Sequence, residues 1–114
     1  MPVTIYHNPR CSKSRETLDL LQARGFEPRI VKYLETPPDA ATLETLLAQL
    51  GIAARELIRT GEPAYKELGL ADASDAELVK AMAEHPELIQ RPIVIANGKA
   101  RIGRPPASVL EILD

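Results

Sequence analysis

The strand-forming residues of this 114-residue chain lie in two blocks at opposite ends, and the stretch between them reads only as helix. Val3–Tyr6 and Arg29–Leu34 are β-branched and apolar, and so are Pro92–Ala96 and Lys99–Ile102. Thr36-Pro37-Pro38 closes the first block and Pro86 opens the second. A sheet built from this chain must therefore join its two ends around a helical insert.

In the first block, Ser12–Arg24 has helical spacing: Thr17, Leu18 and Leu21 share a face with Ser14, and Gly25 stands where a left-handed cap belongs. Two strands flanking one helix make a βαβ unit, with a right-handed crossover expected. In the insert, Leu43, Leu46, Leu47 and Leu50 follow the i, i+3, i+4, i+7 rule up to Gly51. Short helices or turns are expected over 55–59, stopped at Thr60-Gly61, and 63–68, stopped at Gly69. Ser74-Asp75-Ala76-Glu77 is a capping-box pattern that opens a helix running to about His85. In the second block Asn97-Gly98 predicts a tight hairpin, and Val109, Leu110 and Leu113 form the apolar face of a final helix. The element order is β-α-β, insert, β-β-α. The fold class is thus α/β, a thioredoxin-like mixed sheet, and the chain is read as one domain, 1–114, with its helical insert at about 38–86.

Composition removes several classes of function. Hydrophobic residues make up 45% of the chain, enough for a core without disulfides or metals. The net charge is −2 with no Lys/Arg run, and Trp is absent, which argues against nucleic-acid binding. No stretch approaches the roughly 20 apolar residues of a membrane helix, nor is there a signal-peptide pattern, so the expected location is the cytoplasm. Nine of the fourteen cations are Arg, whose planar fork suits oxyanions.

The chain has one cysteine, Cys11, placed after a strand and loop where a helix begins. Free N–H groups and the helix dipole favour an anion there, lowering a thiol's pKa and cradling an oxyanion beside it. Ser14, one turn on, is a candidate hydrogen-bond donor to the thiolate. His7 is a candidate source of positive charge or of a proton. Spacing excludes related chemistries: C-x-x-C is reduced to C-x-x-S, and the C-x5-R of small phosphatases fails because Thr17 holds the Arg position. One Cys and two distant His give no zinc ligand set, and no bound cofactor is expected. A lone thiol needs an external thiol to resolve any intermediate.

Ile-Tyr-His7-Asn-Pro-Arg-Cys11-Ser-Lys-Ser14 resembles the active-site segment of the glutaredoxin-dependent arsenate reductase (ArsC) family. Tyr33-Leu-Glu-Thr-Pro-Pro, Glu56-Leu-Ile-Arg59, Gln90-Arg91-Pro92-Ile-Val and Gly103-Arg104-Pro105 are similar to later family segments, in the family's order. The resemblance spans nearly the whole chain, although well-known family members carry a longer C-terminal tail. It implies that Cys11 is the nucleophile, that His7 and Ser14 help hold it as a thiolate, and that Arg59, Arg91 and Arg104 bind the oxyanion. It implies arsenate as substrate, glutathione and glutaredoxin as external reductants, and a role in arsenical resistance. A cis Arg91–Pro92 bond is also expected, by analogy with the proline beside the thiol in thioredoxin folds. Two other readings fit the fold. A redox-responsive transcription regulator binding RNA polymerase would use the C-x-x-C switch that Ser14 removes. A general monothiol oxidoreductase leaves the arginines unexplained.

Overall fold

The structure is a computed structural model describing residues 2–113. These residues fall into two compact units. One joins the chain up to Thr36 with the segment from Arg91 onward; the other is Pro37–Gln90.

The first, the sheet unit, contains β1 (Val3–Tyr6), α1 (Ser12–Ala23), β2 (Arg29–Val31), β3 (Ile93–Ala96) and β4 (Lys99–Ile102). The strand order is β2-β1-β3-β4. β1 pairs parallel with β2, with Ile5 opposite Ile30, as the βαβ reading requires. It pairs antiparallel with β3, with Ile5 opposite Val94, so a strand from each end of the chain meets at the centre. Alternate residues of a strand share a face. Val3 and Ile5 accordingly point into a cluster with Leu21, Val94, Ala96, Val109 and Ile112. The β3–β4 turn has φ of 56° at Asn97 and 73° at Gly98, the left-handed pair that the tightest hairpin demands. Gly25, with φ of 85°, lets the chain leave α1.

Two expectations are corrected here. β2 ends at Val31 and not at Leu34, because the Lys32 carbonyl accepts the N–H groups of both Glu35 and Thr36 and turns the chain. The final helix is a 3-10 helix over Pro106–Ile112. Its bonds run from Ser108 to Pro105 and from Leu113 to Leu110, and three residues per turn put Val109 and Ile112 on one face. Ile112 is therefore buried where Leu110 was expected, and Leu110 lies at the edge of the cluster.

The second, helical unit holds α2 (Ala40–Leu50), α3 (Ala54–Leu57), α4 (Pro63–Glu67) and α5 (Asp75–Glu84). Asp39 caps α2 by accepting the Thr42 N–H at 2.8 Å, and Gly51 ends it with φ of 70°. The predicted capping box opens α5: Ser74 Oγ accepts the Glu77 N–H at 3.2 Å, and Glu77 accepts the Ser74 N–H at 3.0 Å. Leu43, Leu46, Leu57, Leu78 and Met82 are fully buried. Burying each such side chain stabilises the fold by roughly 1.5–3 kcal/mol. The composition changes at Pro86, yet this unit continues to Gln90. A 3-10 turn at Pro86–Leu88 returns the chain alongside α3, where Arg59 donates to the Leu88 carbonyl and Gln90 to that of Leu57. Among the described residues no helix is long and apolar enough to cross a membrane.

Candidate active site

Cys11 is the N-cap of α1, with extended backbone (φ −93°, ψ 124°) and a residue exposure of 9%. The loop before it is fixed locally. Asn8 Oδ1 accepts the Arg10 N–H at 3.0 Å, the Cys11 N–H donates to the Asn8 carbonyl, and the Arg15 guanidinium braces the Pro9 carbonyl at 2.9 Å. At an N-cap the side chain normally accepts from the second or third helical N–H. Here those are the N–H groups of Lys13 and Ser14, and the sulfur stands where a cap oxygen would.

Burial pushes the Cys11 thiol up, but four effects outweigh it. They are the Ser14 N–H, the charge of Arg91, the Lys13 N–H and the charge of Arg104, and the thiol ends below its ordinary value. Arg104 places Nη2 3.6 Å from Cys11 Sγ, and its Nε donates to the Arg91 carbonyl at 2.8 Å. Arg91 Nε is buried with no hydrogen-bond partner among the described residues. A buried donor of that kind is costly unless something accepts from it. The Arg91–Pro92 bond is cis, as expected; Arg104–Pro105 is cis as well, which was not.

Two roles expected from the sequence take a different form. The Ser14 hydroxyl is occupied by His7 Nδ1, at 2.6 Å, and by the Asn8 N–H, at 2.9 Å. It is the backbone of Ser14, not its side chain, that faces the sulfur. His7 is buried, and its pKa lies below the ordinary imidazole value because of that burial and the charges of Lys32 and Arg15, with Asp19 opposing. Both effects disfavour its charged form, and its Nδ1 is engaged with the Ser14 hydroxyl.

The sheet unit alone thus brings together Cys11, His7, Ser14, Arg91 and Arg104. Arg59 belongs to the helical unit, where its guanidinium lies 3.5 Å from the Glu62 carboxylate and donates to the Glu87 carbonyl at 3.3 Å. Two further residues support the site. Thr17 is fully buried, its hydroxyl donating to the Lys13 carbonyl at 2.8 Å. Gly103 packs so closely that an added Cβ would stand 2.5 Å from Thr17 Oγ1 and 2.8 Å from Pro92 Cγ. The Gly103 N–H donates to the Pro92 carbonyl at 2.9 Å, which ties the loop carrying Arg104 to the one carrying Arg91. Helical spacing put Thr17 on the inner face of α1, but the need for glycine at 103 has no local signal.

Among the described residues no group of His, Cys, Asp and Glu is placed to hold a metal ion. The ArsC family profile matches residues 6–112. The chain belongs to the ArsC family.

Several relatives are similar over almost their whole lengths, and others over about four fifths of theirs. The uncharacterized protein YfgD of Escherichia coli (strain K12) is 65% identical, covering 97% of this chain and 96% of its own. A Haemophilus influenzae protein named arsenate reductase is 53% identical, over 99% of this chain and all of its own. Among solved structures, arsenate reductase from Vibrio cholerae superposes with a TM-score of 0.96 at 57% identity, covering 99% of this chain and 98% of its own. This family member therefore has the thioredoxin-like α/β fold of those neighbours.

Proposed function

We propose that this ArsC-family chain reduces arsenate to arsenite, with Cys11 as nucleophile and glutathione and glutaredoxin as reductants, in the cytoplasm. The observation that carries the reading is the pair of arginines at the thiol: Arg104 against the sulfur and Arg91 with a buried, unpartnered Nε. An anionic nucleophile attacking an anionic substrate needs such charge, held in place before the reaction. The family resemblance adds Arg59 as a third cation for the oxyanion.

In the proposed course, the Cys11 thiolate attacks arsenic and an arsenate oxygen leaves as water, giving a sulfur–arsenic(V) adduct. The thiolate of glutathione then attacks the Cys11 sulfur. The sulfur–arsenic bond breaks, its electron pair stays on arsenic, and arsenite departs. Two thiols have become one mixed disulfide, balancing the two-electron reduction of arsenic. A glutaredoxin thiol takes the glutathione and frees Cys11. The single cysteine fits this route, because every resolving thiol comes from outside.

The test is arsenite formation by the pure protein with arsenate, glutathione and glutaredoxin. Arsenite is expected in step with glutathione oxidation. Folded protein with a working donor that forms none would overturn the reading.

A further inference from the structure

A concavity of about 330 Å³ opens in the sheet unit beside the loop that leads into Cys11. Its lining includes His7, Pro9, Arg10, Lys32, Leu34 and Glu35. His7 is the buried part of the wall, and its Nδ1 bond to Ser14 links the concavity to the first turn of α1. The loop residues Pro9 and Arg10 form another part, and Cys11 follows them directly.

The remaining lining is an unusual set. Arg10 and Lys32 offer two cations and Glu35 one carboxylate, and none of these three side chains has an ion pair or hydrogen bond among the described residues. Leu34 is one of three large apolar side chains left exposed among the described residues. A free α-amino-acid group carries a carboxylate and an ammonium on a short carbon chain. Two cations, one carboxylate and an apolar wall complement it, and the volume lies at the low end of small-ligand sites.

We propose that this concavity binds the non-reacting α-amino-acid end of a small peptide thiol while the thiol's sulfur reaches Cys11. This rests on the reading above only in requiring an external thiol at Cys11, and it assigns that thiol a binding site. Saturation with the thiol and selectivity against thiols lacking the zwitterionic end follow from it.

The test omits arsenate. Cys11 is converted to its mixed disulfide with thionitrobenzoate, and release of that chromophore is followed with glutathione, 3-mercaptopropionate and 2-mercaptoethanol. The incoming thiolate forms a new disulfide, the old one breaks, and thionitrobenzoate leaves with the electron pair, so no other oxidant is needed. The wild-type rate is expected to saturate with glutathione and to stay linear with the other two. The double variant Arg10→Ala/Lys32→Ala is expected to lose about tenfold with glutathione, the equivalent of one charge-assisted contact. Glu35→Gln, which keeps both cations, should slow glutathione and spare 3-mercaptopropionate. A glutathione rate that is linear, or unchanged in the double variant, overturns the proposal. So does an equal loss with 3-mercaptopropionate, which shares glutathione's net charge and would report only the field of the removed cations. Absence of arsenite formation beside saturable, selective exchange would sink the reductase reading and leave this site standing.

Discussion

The helices α1 and α5 begin in the same way and end up with different chemistry. Both N-caps have extended backbone, and each carries a polar atom on a short side chain at the helix start. At α5 the cap is a hydroxyl, and Glu77 answers from within the same turn, so four consecutive residues close the arrangement. At α1 the cap is a sulfur, and no neighbour in sequence closes it. Its counter-charges come from Arg91 and Arg104, the latter 93 residues away along the chain. A helix end capped locally is a structural stop. A helix end whose cap is ionisable, and whose own N–H groups are joined by distant cations, favours an anion.

The hardest way to break the comparison is to give α1 an ordinary cap. Cys11→Ser supplies a hydroxyl like that of Ser74, so the protein should fold with unchanged far-ultraviolet circular dichroism. Arsenite formation should fall at least about a thousandfold, because an un-ionised hydroxyl is a weak nucleophile. Activity near the wild-type level would remove Cys11 from the reaction altogether.

Next come the distant cations. Arg91→Ala or Arg104→Ala should lower kcat/KM for arsenate by about a hundredfold, the scale of losing one preorganised donor. The same variants should raise the Cys11 pKa, read from thiolate absorbance against pH, because both charges hold it down. Arg59→Ala should weaken arsenate use and leave the thiol titration where it is. A thiol pKa unmoved in Arg104→Ala would mean that the helix end alone activates the sulfur.

This contrast also explains what could be read from the sequence. The capping box at Ser74, the left-handed glycines at 25 and 51, and the Asn97-Gly98 hairpin are short-range rules, and each stands where the pattern put it. Cys11 at a helix start was legible for the same reason. The division of labour within the site was not. Nothing local says that the Ser14 hydroxyl faces His7 while its N–H faces the sulfur. That choice is made by His7, carried at the end of β1 where its N–H bonds to the Val31 carbonyl of β2. The early end of β2 and the 3-10 form of the last segment also escaped. Apolar spacing marks which side chains are buried more reliably than it counts residues per turn.

The local cap can be broken in its turn. Ser74→Ala removes the oxygen that accepts the Glu77 N–H and should cost about 1 kcal/mol in urea unfolding, within the usual range for a lost cap. The thiol pKa should not move, since every group that shifts it lies in the sheet unit. A shift in the thiol titration would show that the two helix ends are coupled.

The smallest effect separates the two ends by pH. Glu77 is a carboxylate held below its ordinary value by its bonds to Ser74, and Cys11 is a thiol held below its own. Both are acids with depressed folded-state pKa values. Each contribution is therefore fully present above the unfolded value and is lost as pH falls through the folded one. For Glu77 the loss lies in acid, below about pH 4.3. For Cys11 the contribution should grow as pH rises toward the unfolded thiol value of about 8.5. The stability gap between wild type and Glu77→Gln should then be flat from neutral pH upward and shrink in acid. The gap between wild type and Cys11→Ala should widen from neutral to alkaline pH. A Cys11→Ala gap that stays flat to pH 9 would mean that the sulfur does not ionise ahead of the unfolded chain, and the N-terminus of α1 would be a plain cap after all.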